Sequence, residues 1–146
     1  MRTNRIAIPL VVACCLFCLA AIVPGPAHAQ DPRASAAHGA ALAWLAMTER
    51  GDAAASWRAA GKQFQKAITA DKWGEALQKV RPPLGALVER SVQSTQFTRT
   101  FPGAPDGDYA LLVFRTSFAK KIDSRETVTL EREADGVWRV IGYFIR

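Results

Sequence analysis

Glu126 is the acidic residue whose position best suits acid–base chemistry. It alternates with Val128 and Leu130 in a run rich in β-branched residues, so these three side chains are expected on the inner face of one strand. A carboxylate facing a hydrophobic core has a raised pKa, and such a group can exchange a proton near neutral pH. Glu126 is therefore the weak catalytic candidate, weak because the start of a strand lies close to solvent.

The other carboxylates occupy positions that local structure explains. Six of them fall at expected helix caps or turns: Asp52, Asp71, Asp106, Asp108, Asp123 and Asp135. Three more fall outside the apolar stripes or at a polar strand position: Glu49, Glu75 and Glu89. The Asp-Gly-Asp run at 106–108 could attract calcium, but the ligand spacing of an EF-hand is missing. A turn is the better interpretation.

The N-terminus is typical of a secretory signal peptide. Arg2 and Arg5 precede an apolar stretch at 6–23, which a Pro-Gly-Pro run ends and an Ala-x-Ala triplet follows. We expect cleavage after Ala29, which makes Gln30 the first residue of an exported, periplasmic or secreted protein.

Two alternatives to cleavage at this position remain open. The apolar stretch is close to membrane-spanning length and could stay as an anchor. Cys14 follows a Val-Val-Ala run that loosely fits a lipoprotein processing site. Cleavage after Ala29 would remove all 3 cysteines, so no disulfide would remain and stability would come from the hydrophobic core.

The sequence lacks the motifs of common catalytic and cofactor sites. It contains no Gly-x-Ser-x-Gly elbow, no His-Glu-x-x-His pair and no phosphate-binding loop. Cleavage would leave His38 as the sole histidine. It lies among alanines near the start of a helix, and we expect it to be an ordinary surface residue. One histidine without cysteine cannot form the usual zinc site. We therefore expect no cofactor and no metal.

Size and charge limit the classes of partner. The chain has 146 residues, which suits one domain, and its net charge of +6 is spread along the sequence. A dispersed positive charge indicates a solvated surface rather than a nucleic-acid site. We expect no nucleic-acid partner, no stable membrane insertion after signal cleavage, and a small-molecule or protein ligand that the sequence does not identify.

Helical periodicity covers the first half of the exported chain. Residues 30–35 are expected to form an extended leader, and residues 36–146 a single domain. The first helix has Asp31-Pro32 or Ser35 as its candidate cap, and it ends at Gly51. A second helix follows Asp52, and Gly61 could kink it. A third begins at Asp71 and ends at a Pro-Pro pair.

Turn residues then separate β-rich segments at 87–101, 109–119, 125–133 and 137–145. A slip in apolar parity predicts a bulge at 93–96. These elements predict an α+β fold, with three N-terminal helices packed on a curved four-stranded antiparallel meander. Its main core is expected to contain Trp44, Trp57, Phe64, Trp73 and Trp138.

Two of the predicted strands, 109–119 and 137–145, are apolar on both faces. A solvated outer face should be polar at alternate positions, so we expect this face to be covered. Pairing with a second copy as a homodimer is one explanation. The leader folding back over the sheet is the other.

Several short runs resemble an exported bacterial family known as domain of unknown function 4019. They include Ala43-Trp44-Leu45, Ser56-Trp57, Val80-Arg81-Pro82-Pro83-Leu84-Gly85, the loop at 102–109 and Gly136-Val137-Trp138. The resemblance covers residues 36–146 and departs from the family at Pro83, where a small residue is expected. The family implies no activity. The order of helices and sheet also resembles the cystatin-like and nuclear-transport-factor-like (NTF2-like) cone folds.

These observations favour an exported, non-enzymatic binding or interaction module. The alternative is a small-molecule enzyme of the cone-fold type that uses a cavity carboxylate, Glu126, as acid or base. An open cavity with a desolvated Glu126 beside Tyr109, Tyr143 or an arginine would favour the enzyme.

Overall fold

Four helices precede four strands in residues 31–146, the part of the chain that the computed structural model describes. The helices are α1 (Pro32–Glu49), α2 (Ala53–Ala59), α3 (Lys62–Ala67) and α4 (Ala70–Leu84). The strands are β1 (Leu87–Thr98), β2 (Asp108–Phe118), β3 (Lys121–Arg132) and β4 (Trp138–Ile145). The expectations for Cys14, Ala29 and Gln30 lie outside the described residues. Within 31–146, no helix combines the length and hydrophobicity that crossing a membrane requires.

Helix α1 begins at Asp31, the first of the two expected caps, rather than at Ser35. Asp31 is its N-cap and accepts a hydrogen bond from the backbone N–H of Arg33 at 2.9 Å. Pro32 takes the first helical position, where its missing N–H costs nothing. Residues 32–35, which we expected to be an extended leader, are therefore helical.

The segment expected as one second helix is divided into α2 and α3 at Gly61. The Gly61 N–H donates to the carbonyl of Val140 at 2.8 Å, which ties the chain to β4. A Cβ atom at Gly61 would lie 2.9 Å from Cγ2 of Ile141, so only glycine allows this approach. The contact with β4 interrupts the helix.

The four strands form one antiparallel sheet in the order β1-β2-β3-β4, with the helices on one face. The register between β1 and β2 shifts between Val92 and Ser94, which places a bulge at Gln93, inside the expected range. The α+β class and the meander are confirmed.

Aromatic side chains join the helices to the sheet. Trp44, Phe64, Trp73 and Trp138 are buried, whereas Trp57 is half-buried and packs against the same cluster. The ring of Trp44 lies 5.5 Å from that of Trp73 and 5.9 Å from that of Phe64. Trp44 and Trp73 also both contact the rings of Phe64 and Tyr143, so these two tryptophans form the centre of this cluster.

A loop of the same chain covers part of the outer sheet face. Tyr109 alternates with inward-facing Ala110, yet it is only 1% exposed. Its hydroxyl donates to the carbonyl of Pro105 at 2.6 Å, and the ring of Phe101 lies 5.8 Å from its own. The β1–β2 loop and the side chain of Gln63 on α3, which donates to the Tyr109 hydroxyl at 3.3 Å, thus cover Tyr109 without a second copy or a leader.

Candidate functional site

Glu126 is a fully buried carboxylate whose two oxygens both accept hydrogen bonds. It lies on the inner face of β3. Its Oε2 accepts from Oγ1 of Thr116 and from Nε of Arg90, each at 2.7 Å. Its Oε1 accepts from the hydroxyl of Tyr143, also at 2.7 Å. The inward position expected from strand parity is observed.

Two arginines and a second carboxylate complete what we call the charged cluster: Glu126, Arg90, Arg81 and Glu49. Arg90, on β1, also contacts Glu49 at the end of α1. Arg81, on α4, lies over the ring of Phe118 at 4.9 Å, with its Nη1 3.8 Å from Oε1 of Glu126. Two positive and two negative charges balance, and buried charges are tolerated only when paired in this way.

The cluster leaves guanidinium nitrogens without hydrogen-bond partners. The side chains of Arg81 and Arg90 are 8% and 7% exposed. Among the described residues, Nη1 of Arg81 and Nη2 of Arg90 are buried and find no acceptor. A buried donor without an acceptor is unfavourable, so these two nitrogens reduce the net stability that the cluster contributes.

A cavity of about 350 Å³ lies between the end of α1 and the second half of α4. We call it the α1–α4 cavity. Its lining residues are Glu49, Arg50, Gly51, Ala53, Gly74, Leu77, Gln78, Arg81, Pro82, Gly85 and Ala86. Small residues provide the space, because a Cβ added at Gly74 would lie 3.7 Å from that of Ala53. Arg81 belongs to this lining and Glu126 does not.

Two donors to Glu126 stay protonated at any physiological pH. Burial raises the pKa of the Tyr143 phenol far above its usual value, and the charge and hydrogen bond of Glu126 raise it further. Burial alone would lower the pKa of the Arg90 guanidinium, but its hydrogen bonds and ion pairs with Glu126 and Glu49 outweigh burial and raise it. Glu126 therefore accepts hydrogen bonds from two groups that keep their protons throughout the physiological pH range.

We expect Tyr143→Phe to lower the free energy of unfolding at pH 7 by about 1.5–3 kcal/mol, because a buried carboxylate loses a donor. The folded-state pKa of Tyr143 is raised, so its stabilising contribution is complete below pH ~10, the unfolded value, and falls as pH rises above it. The deficit of the variant should therefore shrink by about 1 kcal/mol at pH 11. Urea unfolding at both pH values measures this. An equal deficit at both would contradict a buried, protonated Tyr143.

A second pocket, of about 540 Å³, lies at the opposite end of the sheet. Arg33, Arg99 and Arg132 contribute to its lining beside Phe97 and Trp138. All three arginines already have protein acceptors, in the carboxylates of Asp31 and Asp108 and in the carbonyl of Gly136. These three arginines therefore stabilise the fold at this end of the sheet as well as lining the pocket.

The remaining sequence candidates have structural roles. His38 is half-buried, and its Nε2 lies 2.7 Å from Oγ1 of Thr95 on β1. Asp52 caps α2 through the N–H of Ala55. Hydrogen bonds from Arg139 lower the pKa of Asp135 to about 2. Across residues 31–146, no group of three or more histidine, cysteine, aspartate or glutamate side chains is placed to hold a metal.

The sequence analysis missed the two arginines. Arg81 follows Trp73 and Leu77 at four-residue steps, and this places it on the apolar stripe of α4. Arg90 lies two residues before Val92, at an inward position of β1. A charged residue at an inward position was the available signal in both cases.

Comparison with known proteins identifies a family without an assigned activity. The model of the family described as "Protein of unknown function (DUF4019)" matches residues 40–143, more than half of the chain. No curated protein and no solved structure matches the chain.

Proposed function

The chain belongs to the DUF4019 family, and we propose that it is an exported, non-enzymatic module that binds a small molecule in the α1–α4 cavity. One observation carries this proposal. The cavity is lined by Arg81 and by Glu49, whose carboxylate is ion-paired with Arg90, whereas the carboxylate of Glu126 lies outside the lining and has its donors in place. A ligand in the cavity therefore meets groups that can bind it, while the carboxylate of Glu126 is out of its reach.

The enzyme alternative has a specific observation in its favour. Glu126 is desolvated beside Tyr143 and Arg90, and a cavity lies next to the cluster. A general acid or base must, however, reach the proton that it transfers. Glu126 would have to release Thr116 or Tyr143 to accept a proton from a substrate. Its geometry fits a residue that positions the arginines.

The binding proposal can be tested by filling the cavity. Ala53→Leu adds a larger apolar side chain at the cavity wall, and Ala54→Leu places the same change on an exposed neighbour as control. Thermal unfolding of both variants and of the natural chain is followed with a panel of small acids, amines and neutral compounds. A ligand at about 100 times its Kd stabilises a fold by about 2.7 kcal/mol.

At least one compound should stabilise the natural chain and Ala54→Leu but not Ala53→Leu. A panel in which no compound distinguishes Ala53→Leu from its control would overturn the binding function.

Export rests on the N-terminal pattern of a basic start, an apolar stretch and an Ala-x-Ala triplet. We expect intact-mass measurement of the protein, expressed with its own N-terminus, to give a chain that begins at Gln30. A lipid-modified chain that begins at Cys14, or an uncleaved chain in the membrane fraction, would contradict this prediction.

Pairing of two copies through the outer sheet face stays a prediction. Phe144 is 56% exposed, and Leu111 and Val113 are half-buried on this face. We expect sedimentation at micromolar concentrations to show a dimer that Phe144→Glu dissociates. A natural chain that sediments only as a monomer would leave the β1–β2 loop as the cover of this face.

A further inference from the structure

We propose that one end of the sheet docks on an anionic lipid surface, and that the turn between β2 and β3 makes the contact. We call this end the basic tip, and it consists of Leu87, Val88, Ala119, Lys120, Lys121 and Ile122. None of these residues lines the α1–α4 cavity, so the inference does not depend on the proposed binding function.

Strand pairing brings the members of the basic tip together. Leu87 on β1 lies opposite Phe118 on β2, and Phe118 lies opposite Lys121 on β3. The backbone N–H of Lys120, in the turn, donates to the carbonyl of Leu84 at 2.9 Å. This bond holds the turn beside the start of β1, so the tip is formed by the fold before any partner arrives.

The basic tip exposes apolar side chains to solvent. Ile122 is 80% exposed and Val88 is 68% exposed, which makes them the two most exposed large hydrophobic side chains among residues 31–146. Leu87 is exposed as well. Single exposed hydrophobic residues are common on protein surfaces, but these three lie at the same end of one sheet. A lipid interface can remove such side chains from water.

Two lysines accompany these apolar side chains. Asp123 is ion-paired with Arg115 at 2.7 Å, and neither Lys120 nor Lys121 has an ion-pair partner among residues 31–146. The methylene groups of Lys120 pack on Gly85, since a Cβ atom added there would lie 3.2 Å from its Cγ. A lysine of this kind covers apolar surface with its stem and keeps its ammonium group in contact with water or headgroups.

The charge around the basic tip is positive after its carboxylates are counted. Residues 86–89 and 115–125 contain two exposed carboxylates, those of Glu89 and Asp123. The exposed cations of the same segments are Arg115, Lys120, Lys121 and Arg125. Two positive charges therefore remain beside the apolar side chains. Anionic headgroups complement this excess, and apolar contact with electrostatic attraction is the combination that binds a protein to a lipid surface.

Binding to lipid vesicles tests the proposal. The natural chain, expressed with its own N-terminus, is mixed with vesicles of phosphatidylcholine alone and with vesicles of phosphatidylcholine and phosphatidylglycerol in equal parts. Centrifugation separates bound from free protein. The partition constant should be about tenfold or more larger for the anionic vesicles. Binding to the neutral vesicles measures any contribution of the apolar stretch at 6–23.

Two double variants with the same change in net charge locate the contact. Lys120→Gln combined with Lys121→Gln should lower partition into the anionic vesicles by about tenfold or more, because each lysine near such a surface contributes about fivefold. Lys62→Gln combined with Lys66→Gln removes two exposed lysines of α3 and should change partition by about twofold or less.

A second pair of variants tests the apolar contact. Ile122→Ser should lower partition into the anionic vesicles by about threefold or more, since a hydrocarbon side chain leaves the interface. Val137→Ser makes the same kind of change at another exposed position, next to the β3–β4 turn, and should leave partition unchanged. All these positions are exposed, so the variants are expected to fold.

Equal partition of the natural chain into neutral and anionic vesicles would overturn the proposal. An equal loss in the two double lysine variants would overturn it as well, because binding would then follow net charge and not the basic tip. Binding to heparin, a soluble polyanion, without binding to the anionic vesicles would also contradict a lipid partner.

Discussion

Replacement of Glu126 by glutamine should lower the free energy of unfolding by about 3–5 kcal/mol at pH 7. The change keeps the shape of the side chain but leaves Arg90 and Arg81 buried beside one fewer negative charge. The penalty of a buried charge without its partner exceeds what a hydrogen-bonded amide returns. Urea unfolding of the natural chain and of the variant, followed by circular dichroism, measures the effect.

Two further variants separate charge balance from general damage. Glu75→Gln makes the same chemical change at an exposed position and should alter the free energy of unfolding by about 0.5 kcal/mol or less. Combining Glu126→Gln with Arg90→Met removes one charge of each sign and should cost less than the sum of the two single changes. If Glu126→Gln costs no more than Glu75→Gln, the buried cluster is not organised around Glu126.

The substitution Trp44→Ala should also cost about 3–5 kcal/mol, because it removes one of the two tryptophans at the centre of the aromatic cluster. The Trp44 ring is 2% exposed and contacts the rings of Phe64, Trp73 and Tyr143. Its Nε1 donates to the carbonyl of Ser56 at 2.8 Å, a bond that ties α1 to α2. The midpoint of urea unfolding should fall accordingly.

Trp57→Ala provides a matched comparison. Trp57 also donates its Nε1 to a backbone carbonyl, that of Ile68, at 2.9 Å, but its ring is only half-buried. The same truncation should therefore cost less than at Trp44, since less apolar surface leaves the core. A larger loss at Trp57 than at Trp44 would show that the cluster is centred elsewhere.

The end of a helix could be predicted from the sequence where it depends on residues that are adjacent in the chain. Asp31 and Pro32 are a cap and a first-turn residue, and the helix begins there. The division between α2 and α3 was not predictable in the same way. It depends on the bond from Gly61 to Val140, which is 79 residues away in the sequence and becomes a neighbour only when β4 is in place.

Strand parity was sufficient to place Glu126 on the inner face, but not to find its partners. Arg81 comes from α4, Arg90 from β1 and Tyr143 from β4, so the site requires three separate elements to meet. Thr116 gave a weaker signal, as a polar residue between the inward-facing Phe114 and Phe118. Polar residues that interrupt apolar stripes near the same end of a sheet deserve to be considered as one set.

The most direct test of the account is a titration of the protein with the panel of small acids, amines and neutral compounds, observed through the ¹H–¹⁵N signals of its backbone. The account predicts that at least one compound causes saturable shifts at Ala53 and Leu77, which line the α1–α4 cavity. It predicts no shift for Arg33, Arg99 and Arg132, which line the pocket at the other end of the sheet. Saturable shifts at these three arginines with Ala53 and Leu77 unchanged would contradict it.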